Sequence, residues 1–235
     1  MNSAIIVAAG QGLRMGGSVS KQYLSLAGVS ILGRTLAVFT QSGLFEEIIL
    51  VVAATDKAYC RRTVIDSLKT KQVIRMVVGG RDRQESVYNG LEASHGQDDD
   101  AVLIHDGVRP FVSEDALAQC LTAVKAHDAC IVAVPACDTL KQIGSDGRIS
   151  QTLSREAVWL AQTPQGFRLG LARTAHRQAR EDGFFGTDDA QLVERLGQSV
   201  TVIPGSRTNI KITTPDDLLL AEAIWRHVQN TSQRG

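Results

Sequence analysis

Apolar runs of strand length recur along this chain, and an amphipathic segment of helix length separates each from the next. The runs are "AIIVAA", "EIILVVAA", "QVIRMVV", "DAVLIHD" and "ACIVAVP"; between them lie "SILGRTLAVFTQ", "DKAYCRRTVIDSL", "RQESVYNGLEAS" and "SEDALAQCLTAVKAH". Strands that are apolar throughout must be covered on both faces, and strand–helix–strand connections favour parallel pairing. The expected fold class is α/β, a mostly parallel sheet with helices on both faces. Right-handed crossovers then gather the loops that follow the strands along one edge, where such sheets bind ligands.

The alternation breaks after Pro135. The stretch "ACDTLKQIGSDGRISQTLSREAVWLAQTPQGF" holds short polar pieces around an "SDG" turn. It reads as a β-hairpin arm at about residues 136–162, inserted in a single domain spanning 1–235. Apolar side chains on a projecting arm need cover, and a second subunit is the simplest source. The α/β pattern resumes with "LGLARTAHRQAR", "DDAQLVERLG" and "SVTVIPG". In "TDDAQLVE", Thr187 reads as a helix cap with Asp188 and Asp189 in the first turn. A last helix is predicted from "TTPDDLLL", capped by Thr214, with Pro215, Asp216 and Asp217 in its first turn. The tail "QNTSQRG" reads as frayed.

Composition excludes some functions. Lysine plus arginine number 25 and aspartate plus glutamate number 25, which argues against a nucleic-acid binder. The four cysteines form no C-x-x-C pair and read as buried thiols of a reduced protein. No apolar stretch reaches membrane-spanning length and no basic leader is visible, so the expected location is the cytoplasm.

The first strand runs into "AAGQGLRMGGSVSKQY". As a dinucleotide fingerprint the loop fails at Met15, which stands where a third glycine is needed; no clear ribose-binding acid ends the next strand. As a Walker loop it fails at Ser18, with Lys21 arriving three residues late. What remains is a glycine-rich loop with two fixed cations, Arg14 and Lys21, able to surround and neutralise a polyphosphate. Asp106, at the end of the run "AVLIH", suits either Mg²⁺ against phosphate oxygens or a partner for Arg109. His105 reads as structural.

In order along the chain, "AAGQGLRM…KQY", "GGRDRQESV", "HDGVRPF", "LAQTPQGF", "TDDAQLVE" and "TNIKITTPDDL" resemble the 2-C-methyl-D-erythritol 4-phosphate cytidylyltransferases, from Ala4 to about Trp225. The resemblance implies a Rossmann-like nucleotide-binding domain, a homodimer joined through the arm, and dependence on Mg²⁺ held by Asp106. It implies transfer of CMP from CTP to 2-C-methyl-D-erythritol 4-phosphate, with Arg14, Lys21, Arg155 and Lys211 as the catalytic cations. Ala8, Ala9, Gly10, Gly12, Gly80, Arg83 and Ser86 would contact the nucleotide. Arg109, Thr139 and Thr187 would complete the second substrate's pocket, Thr139 and Arg155 reaching it from the neighbouring subunit's arm. Two departures stand out: Arg81 occupies an often acidic or small position, and Thr208 a usually acidic one. The alternatives are a cytidylyltransferase for ribitol 5-phosphate and a non-catalytic nucleotide-binding module.

Overall fold

The computed structural model of the chain describes residues 1–10 and 20–232. In chain order the strands and helices are β1 (Asn2–Ala8), β2 (Ser25–Leu26), β3 (Val29–Ser30), α1 (Ile31–Gln41), β4 (Glu47–Val52), α2 (Lys57–Cys60) and β5 (Ile74–Val78). There follow α3 (Arg83–Ala93), β6 (Ala101–Asp106), α4 (Glu114–His127), β7 (Ala129–Pro135), β8 (Leu140–Ile143) and β9 (Ile149–Leu153). The chain ends with β10 (Trp159–Arg168), α5 (Leu169–Glu181), α6 (Asp189–Arg195), β11 (Thr201–Pro204) and α7 (Pro215–Ser232). Seven strands form the main sheet in the order β11-β7-β10-β6-β1-β4-β5. All neighbours pair parallel except β10, which is antiparallel to both β6 and β7.

Two apolar layers follow from the two-residue period of the strands. Ile6, Leu50 and Leu103 face one layer with Leu36 and Phe39 of α1 and Leu121 and Val124 of α4. Ile5, Ile49 and Ile104 face the other, with Val87 and Leu91 of α3, Ala172 and Ala175 of α5, and Leu192 of α6. Complete burial of each such Leu, Ile or Phe contributes about 1.5–3 kcal/mol. Ser30 and Ser113 cap α1 and α4 through their side chains, accepting from the backbone N–H groups of Gly33 and Ala116. The β2–β3 hairpin turns through Ala27 and Gly28, both with positive φ, and α7 packs beside it around Leu26, Ile31, Val108 and Ile212.

The arm is the β8–β9 hairpin, turning at Ser145–Gly147 and standing apart from the main sheet. It is shorter than the predicted span. Trp159 already pairs with Pro135 of β7, so the excursion from the sheet covers residues 136–158. The segment "WLAQ", placed at the end of the arm from sequence, instead opens the interior strand Trp159–Arg168. Its pairing with β7 shifts register between Ala161 and Gln165, around Pro164, which has no N–H to contribute to a ladder. Cys60, Cys120 and Cys130 are buried as expected, but Cys137 is exposed because it lies beyond the end of β7. Among the described residues no helix is long and apolar enough to cross a membrane.

Candidate active site

β1, β4, β5 and β6 all end on one edge of the sheet, and there the loops open a cavity of about 580 Å³. Its walls include Ala8, Ala9 and Gly10 after β1, Gly79 and Gly80 after β5, Arg83 and Ser86 on α3, Asp106 ending β6, and Lys21 and Lys211. The first loop is pinned at its base. Buried Gln22 donates to the carbonyls of Ala8 (3.0 Å) and Gly10 (3.2 Å), so the strand end keeps its direction whatever the loop carries. Gly79 is obligatory: a Cβ there would overlap Ala9 and come within 2.8 Å of Ser86 Oγ. Ser86 Oγ accepts from Gly80 N–H (3.1 Å) and donates to the Asp82 carbonyl (2.7 Å), tying the β5–α3 turn. Asp82 caps α3 by accepting from Glu85 N–H.

Asp106 is 5% exposed, yet three cations converge on it. Lys211 Nζ lies 2.9 Å from Oδ2, Arg83 Nε 3.1 Å from Oδ1, and Arg109 Nε 3.5 Å from Oδ2. Burial alone would raise its pKa; Arg83, Lys211 and Arg109 outweigh that and hold the carboxylate well below its usual range. Arg83 also donates through Nη2 to buried Asp189 at 2.8 Å. Burial opposes its charge, but Asp189 and Asp106 together raise its pKa above the ordinary arginine value. One carboxylate therefore sits beneath a surplus of positive charge, an arrangement that favours a polyanion in the cavity.

The strand end beneath this cluster is locked by hydrogen bonds of defined polarity. His105 Nε2 donates to the Arg109 carbonyl at 3.0 Å, which leaves Nδ1 to accept from Thr163 Oγ1 at 3.0 Å. Thr163 Oγ1 in turn accepts from Asp106 N–H at 3.1 Å. Burial lowers the His105 pKa to about 4, against the opposing pull of its bond to Arg109 and the charge of Asp106. The ring is neutral near pH 7, in keeping with a structural histidine. The Asn209 side-chain amide donates to the Thr163 carbonyl (2.9 Å) and to Gln162 Oε1 (3.2 Å), while the Asn209 backbone carbonyl accepts from Arg109 Nη1 (2.8 Å).

Of the residues singled out from sequence, Ala8, Ala9, Gly10, Lys21, Gly80, Arg83, Ser86, Asp106 and Lys211 meet at this cavity. Arg109 braces it through Asp106 and Asn209. Gly12 and Arg14 lie outside the described residues. Thr139 and Arg155 sit on the arm, where the Arg155 guanidinium donates to the Cys137 carbonyl. Thr187 is exposed and donates through N–H and Oγ1 to Gln191 Oε1 (2.7 and 3.2 Å). It is not the cap of α6: Asp188 is, accepting from Gln191 N–H, so the helix begins one residue later than predicted. Of the two departures, Arg81 lines the cavity in an exposed pair with Glu85 (3.1 Å), and Thr208 bonds Ser206 (2.7 Å). Sequence reasoning missed Gln22, Thr163, Gln165, Asp189 and Asn209; for Thr163 and Gln165 the available signal was a polar residue inside an apolar strand.

Among the described residues, no three His, Cys, Asp or Glu side chains come together as a metal-binding group. Asp106 is the cavity's deeply buried carboxylate. A single carboxylate sharing an ion with phosphate oxygens is a donor set that suits Mg²⁺.

A mostly parallel α/β sheet with a cation-lined cavity at the strand ends fits a Rossmann-like nucleotidyltransferase. The family model described as IspD, 2-C-methyl-D-erythritol 4-phosphate cytidylyltransferase, matches residues 2–227, and the chain belongs to this family. It is 51% identical to the 2-C-methyl-D-erythritol 4-phosphate cytidylyltransferase of Geobacter metallireducens, across 94% of this chain and 95% of the relative. To that of Geotalea uraniireducens it is 48% identical, across 97% and 98%. The crystal structure of 4-diphosphocytidyl-2C-methyl-D-erythritol synthase from Anaerococcus prevotii is similar, with a TM-score of 0.85 and 36% identity over 96% of each chain. The 2-C-methyl-D-erythritol 4-phosphate cytidylyltransferase of Thermus thermophilus gives a TM-score of 0.77 at 35% identity, over 96% of this chain and all of that one.

Proposed function

We propose that this chain transfers CMP from CTP to 2-C-methyl-D-erythritol 4-phosphate, releasing pyrophosphate, in the non-mevalonate route to isoprenoid precursors. The supporting observation is the convergence of Arg83, Arg109 and Lys211 on Asp106 in the cavity that Lys21 also lines. In the reaction, an oxygen of the substrate phosphate attacks the α-phosphorus of CTP. The bond from that phosphorus to the bridging oxygen breaks and the electron pair leaves with pyrophosphate. Phosphate is already an anionic nucleophile near pH 7, so no general base is needed and catalysis rests on positioning and charge. The loops after β1 and β5 hold the nucleotide, with Gly79 and Gly80 letting backbone approach the base. Lys21, with Arg14, meets charge that grows on the pentacoordinate phosphorus and the leaving group. Asp106 would hold Mg²⁺, which supplies charge neutralisation to the triphosphate when bound.

The second substrate would enter from the side of Lys211 and Arg109. Lys211 is already in the cavity; Arg155 and Thr139 are on the arm and would complete a neighbouring subunit's site. Exposed Ile143, Ile149 and Leu153 on the arm favour a homodimer whose interface covers them. The test is Mg²⁺-dependent pyrophosphate release from CTP with methylerythritol phosphate or ribitol 5-phosphate offered separately, and ATP, GTP and UTP as controls. Release with CTP and methylerythritol phosphate alone is expected. Release with ribitol 5-phosphate alone would keep the chemistry and overturn the substrate; no release from folded, CTP-binding protein would overturn the enzyme reading.

A further inference from the structure

Arg83 is shared between two carboxylates that differ in what else they can do. Asp106 lines the cavity and divides itself among Arg83, Arg109 and Lys211. Asp189 does not line the cavity, is 2% exposed, and among the described arginines holds Arg83, at 2.8 Å. Its other oxygen lies 3.2 Å from Nε2 of His176, which is equally buried. Asp189 is also fixed through its backbone. Gln165 Oε1, on β10, accepts from the N–H groups of Asp189 (3.0 Å) and Ala190 (3.1 Å), and Gln165 Nε2 donates to Asp188 Oδ2 (2.7 Å). The start of α6 is thus bolted to the interior strand adjoining β6, and Asp189 cannot follow Arg83 if the arginine moves.

A reason for the second carboxylate follows from the first one's duties. When an anionic nucleotide and its cation enter, the charges around Asp106 must redistribute. An arginine held by Asp106 alone would either stay collapsed on that carboxylate or swing onto the ligand, losing freedom at the moment of binding. With Nη2 anchored at Asp189, the guanidinium keeps one orientation whether or not Asp106 releases it. Burial would raise the Asp189 pKa, but Arg83 and then His176 hold it down at about 2, so the anchor stays charged at any working pH. A helix-start aspartate needs only to face its own N-terminus; this one is turned onto an arginine 106 residues away.

Resting on the reading of Arg83 as a nucleotide-contacting residue, we infer that Asp189 is a positioning residue for CTP, acting through Arg83 and braced by Gln165. It touches no substrate. Its removal should weaken CTP, leave the phosphate acceptor unaffected, and matter only while Arg83 is present.

The experiment is a double-mutant cycle with Asp189→Asn and Arg83→Gln. CTP affinity is read by titration calorimetry with Mg²⁺, and KM for each substrate and kcat by pyrophosphate release. Asp189→Asn is expected to raise Kd and KM for CTP about tenfold, with KM for the acceptor changed less than about twofold. In the Arg83→Gln background the same change should have almost no further effect. A folded Asp189→Asn protein with wild-type CTP affinity, or an equal loss in both backgrounds, would falsify the inference. Should Asp189→Asn not fold, Asp189→Glu decides: it keeps the charge but moves the carboxylate that orients Arg83, so CTP must weaken by a similar factor, and wild-type affinity would overturn the proposal. Because CTP affinity is read without turnover, loss of the cytidylyl-transfer reading would show as absent pyrophosphate release in the unaltered protein, separately from the cycle.

Discussion

The cavity and the arm are built on opposite terms. At the cavity, the buried charges of the ion cluster have partners within the chain: Asp106 is paired and Arg83 is doubly held, while the neutral His105 beneath them spends both nitrogens. On the arm the reverse holds. All five residues of β9 are exposed, and Ile143 and Ile149 are 55% and 60% exposed. A buried polar network is stable only if complete, whereas an exposed apolar hairpin gains only by being covered. The ion cluster is closed within one chain, whereas the arm leaves apolar side chains uncovered, which the proposed dimer would cover while supplying Arg155 and Thr139 to the neighbouring cavity. Substitutions should therefore separate into those that damage chemistry inside one chain and those that act between chains.

The sharpest contrast lies in Lys21→Ala, which should lower kcat about 10²–10³-fold with little change in KM for CTP, because the charge it meets grows in the transition state. Steady-state pyrophosphate release measures this. Arg155→Ala on the arm should cost about 10²-fold in kcat/KM without moving the melting temperature. Mixing the Lys21→Ala and Arg155→Ala proteins should restore activity toward roughly a quarter of wild type, since random pairing leaves one composite site intact in half of the dimers. No recovery from demonstrably mixed dimers would break the division between the two regions. Ile149→Glu should weaken self-association by about 2–3 kcal/mol, read by sedimentation, while a monomer remains folded.

Inside the cavity region, pH offers a finer probe. An unfolded-state imidazole takes up a proton near pH 6.5, whereas buried His105 does so only near pH 4. The unfolded chain thus binds more protons in this window, so stability falls as pH drops. Between pH 6.5 and 5 His105 should account for a loss of about 1.6 kcal/mol, and His105→Asn should abolish that share in urea titrations at fixed protein concentration. Least of all, Thr187→Ala should raise KM for the acceptor about two- to threefold, since its hydroxyl is exposed and already bonded to Gln191.

The parallel strands were legible because each is apolar throughout and bounded by turn residues, and their C-terminal edge named the site. Asp106 was legible as the acid that ends such a strand and Lys21 as a cation of the glycine-rich stretch after β1, whereas Lys211, which borders no strand, came only from the family resemblance. β10 was not, because Thr163, Pro164 and Gln165 interrupt its apolar pattern and imitate a polar hairpin; burial between two strands, which sequence does not display, is what makes those polar groups satisfied. The cap of α6 was misplaced by one residue because Thr187 and Asp188 are both good caps, and tertiary contacts chose the aspartate. Nor could spacing reveal that Asp189 binds Arg83, since a helix-start aspartate already has a sufficient local explanation.

The reversed direction of β10 has a topological consequence. Because Trp159 faces Pro135 across the ladder, the chain departs for the arm and returns from it at adjacent points on the ligand edge. Had β10 run parallel to β7, the chain would have had to travel back past the full length of the sheet before re-entering it. As built, residues 136–158 form a detachable excursion: evolution or an engineer can lengthen, exchange or replace it with a tight turn without re-threading a single strand. The catalytic fold and the proposed means of sharing its site can therefore vary with little mutual constraint, joined at the Pro135–Trp159 pair and through the contact of Arg207 with Cys137.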